Sequence, residues 1–110
     1  RALSLDPKNS FAWNNLGLIG GGEVEGAHYT KLQCYQRALS LDPKFAMAWY
    51  NLGTIGGGEV EGAHYTQLQC YQRALSLDPK NSFAWNNLGL IGGGEVEGAH
   101  YTKLQCYQRA

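Results

Sequence analysis

The sequence predicts an all-α fold, an α-solenoid of three helix-turn-helix repeats, on three observations. Residues 1–38 and 73–110 are identical at all 38 positions, and 37–74 repeat the same text with six changes, so the period is 36 residues. Within each period apolar residues recur every three to four positions, which is the spacing of one helix face and not the alternation of a strand. One helical pair cannot bury such a stripe alone, whereas stacked copies can, and about three copies are needed for the stack to stand.

The first helix of each unit is expected over 10–19, "SFAWNNLGLI", where Ala12, Trp13, Leu16 and Ile19 make one apolar stripe. Asn9 or Ser10 supplies a capping oxygen at its start, and the glycines at 20–22 end it. The second helix is expected over 31–41, "KLQCYQRALSL", with Leu32, Tyr35, Ala38 and Leu39 as its buried face. Thr30 followed by Gln33 is a capping box, in which hydroxyl and amide each satisfy an end N–H. Asp42-Pro43 stops this helix, because Pro43 has no N–H and restrains the residue before it.

Composition bounds the rest. A chain of 110 residues is one domain at most, read here as 1–110 with repeats over 9–44, 45–80 and 81–110, and with 1–8 as the end of a preceding repeat. Nine basic and nine acidic residues are spread evenly, which argues against nucleic acid or a membrane surface as partner, since both need a basic field. No run of eighteen apolar residues offers a membrane span, and neither a signal peptide nor a starting Met is found. Cys34, Cys70 and Cys106 recur singly at one fixed spacing, which is not a disulfide framework and points to an intracellular, reducing setting.

The stretch "GGGEVEGAHYT", at 20–30, 56–66 and 92–102, invites a chemical reading. A phosphate loop requires Lys-Ser/Thr after its last glycine, but Gly22 is followed by Glu23-Val24-Glu25, whose carboxylates repel a phosphate. Glu23, Glu25, His28 and Cys34 are metal-ligand types, yet no paired ligand spacing accompanies them. No asymmetric catalytic constellation exists that is not repeated threefold. The expectation is therefore no catalytic residue, no metal and no cofactor, with the stretch a ten-residue connector relaxed by Gly20, Gly21, Gly22 and Gly26, and with Val24 and Tyr29 tucked back onto the helix ends.

"AWNNLG", then "YQRAL", then "LDP" resemble the tetratricopeptide repeat pattern, on Trp13, Leu16, Gly17, Tyr35 and Ala38 with their equivalents at +36 and +72, and on Pro43 with its equivalent at +36. The likeness covers essentially the whole chain. The unit is two residues longer than the family's usual 34, and Lys31, Gln67 or Lys103 stands where a small residue is usual. A 36-residue unit with a glycine-rich linker also resembles Sel1-like repeats, but the Trp and the "LDP" favour the first family. The resemblance implies a right-handed superhelix whose first helices line a concave wall that meets peptide ligands.

The six changes carry the remaining signal: Phe45, Ala46, Met47, Tyr50, Thr54 and Gln67 stand for Asn9, Ser10, Phe11, Asn14, Leu18 and Lys31. Phe11, Asn14 and Leu18 are spaced i, i+3, i+7 and share one face, apart from the Trp13–Leu16 face. On the implied concave wall, Asn15, Asn51 and Asn87 form a column whose amides can both donate to and accept from an extended peptide backbone, or can bond within their own unit or to a neighbouring one. Phe11, Met47 and Phe83 take the place of the cations that would select an acidic tail. The expected function is a non-enzymatic scaffold that binds an extended peptide or protein segment on Phe11, Asn14, Asn15, Leu18, Met47, Tyr50, Asn51, Thr54, Phe83, Asn86, Asn87 and Leu90. The rival is a structural or self-assembling array, designed or cut from a longer one: the chain opens and closes within the same helix without a polar cap, which predicts head-to-tail association.

Overall fold

Each 36-residue period folds as helix, hairpin, helix, and a computed structural model describes residues 8–110 of the chain. The first unit comprises α1 (Ser10–Leu18), β1 (Gly21–Val24), β2 (Ala27–Thr30) and α2 (Lys31–Leu41). The second comprises α3 (Ala46–Thr54), β3 (Gly57–Val60), β4 (Ala63–Thr66) and α4 (Gln67–Leu77). The third comprises α5 (Ser82–Leu90), β5 (Gly94–Val96), β6 (Ala99–Tyr101) and α6 (Lys103–Arg109). The expected end of a preceding repeat, 1–8, lies outside the described residues but for Lys8.

The helix ends follow their capping chemistry. Asn9 accepts from the Ala12 N–H at 3.2 Å, and Asn81 from the Ala84 N–H at 3.1 Å. At the same point of unit two stands Phe45, which offers no side-chain cap. The capping box closes in all three second helices; in α2 Gln33 N–H donates to Thr30 Oγ1 at 3.2 Å and Thr30 N–H to Gln33 Oε1 at 2.8 Å. The prolines after α2 and α4 have a second role: Trp49 Nε1 donates to the Pro43 carbonyl at 2.8 Å, and Trp85 Nε1 to that of Pro79 at 2.7 Å. This bond ties the "LDP" of one unit to the tryptophan of the next.

The all-α expectation is overturned by the segment between the helices. In each unit it is a two-stranded antiparallel hairpin, β1 with β2, β3 with β4 and β5 with β6, in place of a relaxed connector. In the first, Gly21 pairs with Thr30, Gly22 with Tyr29, Glu23 with His28 and Val24 with Ala27. Two residues close it, Glu25 and Gly26, with φ of 51° and 85°. Both central residues at positive φ is what a type I′ turn requires, and that turn has the twist of a hairpin. Gly20 and Gly21 also take positive φ, but Gly22 does not. Val24 is buried, and the Tyr29 ring meets Trp13 edge-on at 4.7 Å, so the hairpin roofs the helix pair.

The core is one continuous seam through the units, made of the tryptophans with Leu16, Tyr35, Ala38, Leu39 and their equivalents. Cys34, Cys70 and Cys106, which the apolar pattern left out, are wholly buried in it as free thiols. Two residues depart from the expected stripes. Ile19 follows the end of α1 and is 72% exposed. Leu32 is partly exposed, and its Cδ1 approaches the next unit: a Cβ on Gly58 would meet it at 2.8 Å. Stacking of α2 on α3 and α4 on α5 extends the molecule to 46 × 25 × 19 Å.

Candidate functional site

The first helices α1, α3 and α5 carry no charged residue. Their position is set by a close approach to the second helix of the same unit. A Cβ on Gly17, Gly53 or Gly89 would meet Tyr35, Tyr71 or Tyr107 at 2.6, 2.6 or 2.7 Å, so only glycine lets the ring lie on the helix backbone. Burial pushes the Tyr35 and Tyr71 phenols above their ordinary range.

The twelve residues singled out on these helices fall into two groups. Phe11, Met47 and Phe83 are exposed, at 65%, 46% and 67%, and Leu18, Thr54 and Leu90 are exposed nearer the hairpins. Asn15 and Asn86 are exposed as well. The other four side chains lie between units. Asn14 and Asn51 are both 4% exposed, and Asn51 Nδ2 donates to Asn14 Oδ1 at 2.9 Å. Asn87 Nδ2 donates to the Tyr50 hydroxyl at 3.2 Å and to the Tyr71 hydroxyl at 3.5 Å, with the Tyr50 and Tyr71 rings 6.0 Å apart. The asparagine column is thus uneven: Asn15 faces solvent, Asn51 is sealed, and Asn87 is half-buried.

The varied positions take different partners in different units. Phe11 lies against Phe45, ring centroids 4.7 Å apart, while Met47 Sδ accepts from Asn81 Nδ2 at 3.8 Å. Thr54 Oγ1 donates to the Asn51 carbonyl at 2.6 Å, and Gln67 Nε2 to the Gly53 carbonyl at 2.9 Å. Gln67 therefore anchors the start of α4 to the end of α3.

Sequence reasoning did not find a polar cleft that recurs on the hairpin side. Between α2 and the second hairpin it encloses about 470 Å³, lined among others by Tyr29, Gln36, Arg37, Ser40, Glu59 and Glu61. Between α4 and the third hairpin its counterpart encloses about 390 Å³. Gln36 Nε2 donates to the Glu59 carbonyl at 2.8 Å and Ser40 Oγ to Glu61 Oε2 at 2.7 Å, so the walls belong to different units. The Arg37 guanidinium stands over the Trp13 and Tyr29 rings at 5.7 and 5.3 Å, a cation–π arrangement that fixes the side chain. The spacing of Gln33, Gln36, Arg37 and Ser40 along one helix face was the available signal. Across the hairpin Glu23 faces His28, and among the described residues no three His, Cys, Asp or Glu side chains converge as a metal site would need.

Comparison with known proteins adds the family. No curated protein matches the chain. A tetratricopeptide repeat family model matches residues 34–55 and again 70–91. Each match runs from the second helix of one unit, through the Asp-Pro stop, to the end of the next unit's first helix, which is the segment tied together by the tryptophan–proline bond. Repeats of this kind generally mediate protein–protein interaction and are typically non-catalytic. Two matches at the 36-residue period, on helix pairs stacked through their tryptophans, support a tetratricopeptide repeat assignment for this chain.

Proposed function

We propose that the chain is a non-enzymatic scaffold that takes a peptide or protein segment on the face of α1, α3 and α5, with 1–110 acting as one domain of units 9–44, 45–80 and 81–110. The observation that carries this reading is the run of exposed apolar side chains on uncharged helices: Phe11, Met47 and Phe83 on one side, Leu18 and Leu90 on the other. Large apolar side chains grouped on one face mark an interaction surface more than singly scattered ones do. Asn15, Thr54 and Asn86 give polar contacts between these rows, while Asn14, Tyr50, Asn51 and Asn87 hold the helices that present them. The lack of charge on this face favours an uncharged, apolar-anchored segment over an acidic tail.

The test is an unbiased peptide-array screen with the whole chain, repeated with Phe11→Ala, Met47→Ala and Phe83→Ala combined. These side chains keep much of their surface in solvent, so the helical circular dichroism should hold and the unfolding midpoint should fall only by the loss of the Phe11–Phe45 and Met47–Asn81 contacts, while binding weakens at least tenfold. Hits that the triple variant retains in full would overturn the reading.

A further inference from the structure

The geometry points to a matching code at the junctions between units, written in the residues by which unit two differs from its neighbours. Five of the six differences, and their equivalents, fall at 9–11, 14 and 18 of the first helix or its start. Across each junction the residue at the helix start of the following unit faces the residue at the second helical position of the preceding one. At the first junction this pair is Phe45 with Phe11, rings 4.7 Å apart. At the second it is Asn81 with Met47, amide to sulfur at 3.8 Å. One turn further along, Asn51 donates to Asn14 at the first junction, and Asn87 donates to Tyr50 at the second.

The two positions therefore change together. A row made only of the first unit type would set a Phe against an Asn at every junction, and a row made only of the second would set a Met against a Phe. The alternating order gives an aromatic pair at one junction and an amide–thioether pair at the other. Aromatic pairs contribute beyond their buried area, and a partly buried amide facing a ring edge gives up a hydrogen-bond partner. Phe11, Phe45, Met47 and Asn81 thus determine which unit type docks on which, while the tryptophan seam, identical in all units, supplies the docking itself.

The code is tested by a double-mutant cycle in the whole chain. Phe11→Met and Phe45→Asn each create a mismatched pair at the first junction, and the double variant recreates the Met–Asn pair of the second. Because the Phe45→Asn change also adds a helix cap, single effects are not diagnostic, and the coupling between the two changes is the readout. The matched double variant should be favoured over the sum of the singles by about fivefold in the folding equilibrium constant, within the range known for aromatic pairs. Met47→Phe with Asn81→Phe forms the reciprocal cycle at the second junction, and it keeps the idea open to test should a variant of the first fail to fold. Coupling that favours the matched pair in the cycles that fold supports the code. Additivity within twofold, or coupling of opposite sign, in either cycle overturns it.

Discussion

Replacing Gly53 with alanine asks whether the glycine of the first helix is there to admit a tyrosine. An added Cβ would lie 2.6 Å from Tyr71 Cε1, 2.8 Å from its Cδ1 and 3.2 Å from Cys70 Cβ. The ring has little room to retreat: Tyr71 is buried, its hydroxyl is 3.5 Å from Asn87 Nδ2, and the Tyr50 ring stands 6.0 Å away. Two terms oppose each other. Alanine in a helix interior is favoured over glycine by about 1 kcal/mol. Overpacking a well-filled core costs about 1–3 kcal/mol, and a site pinned on both sides belongs to the upper part of that range. The net expectation for Gly53→Ala is a loss of about 1–2 kcal/mol. Urea unfolding followed by tryptophan fluorescence and by far-ultraviolet circular dichroism measures it, and coincidence of the two probes tests the all-or-none assumption. A raised unfolding midpoint would refute the reasoning, because it would mean that helix propensity decides this position and that the tyrosine contact does not.

Two further outcomes follow from burial. Asn51→Ala leaves Asn14 Oδ1 inside the junction without its donor and should cost about 1–3 kcal/mol, while Asn15→Ala, the same change at an exposed position, should stay within about 0.5 kcal/mol; urea midpoints compare them. Burial pushes the Cys70 thiol from 9.0 up to about 12. Below pH 9 the thiol is protonated both folded and unfolded; above it the unfolded chain releases the proton and the native chain does not, so stability falls as pH rises from 9 towards 12. Midpoints across that window should fall less steeply for Cys70→Ala than for the unsubstituted chain, and parallel curves would refute the assignment.

The helices were legible in the sequence for local reasons. Thr30 with Gln33, and Asp42 with Pro43, are chemical signals confined to a few residues, and α2 spans Lys31–Leu41 as they predict. The residues along the first-helix face were harder to read. Phe11, Asn14 and Leu18 do share a helical side, yet that side is wide enough for Asn14 to enter the junction while Phe11 keeps most of its surface in solvent. Spacing along one helix reports direction about its own axis, and it carries no information on where the neighbouring helix stops. Hence Asn15, Asn51 and Asn87 look equivalent in the sequence, whereas the chance of a preceding partner makes Asn51 a sealed donor.

The hairpin escaped because its signal is split between two kinds of residue. "GGGEVEGAHYT" lacks the alternating apolar run that marks a strand, and Val24 and Tyr29 alone face the core. Its turn pairs Glu25 with Gly26, and a glutamate at φ 51° is an unusual choice where asparagine, aspartate or glycine is preferred. Later units supply a reason for the glutamate. Glu61, at φ 49°, accepts from Ser40 Oγ at 2.7 Å, and Glu97 accepts from Ser76 Oγ at 2.6 Å, each reaching back to the second helix of the preceding unit. A shorter side chain would fit the turn better, but it would have less reach to that serine. The left-handed conformation costs a non-glycine residue about 1–2 kcal/mol, and a carboxylate–hydroxyl bond to the neighbouring unit offsets part of it. The hairpin is thus a third contact between units, beside the tryptophan seam and the paired residues of the first helices. Its glycines free the backbone to reverse, and its glutamate uses that reversal to hold the row together.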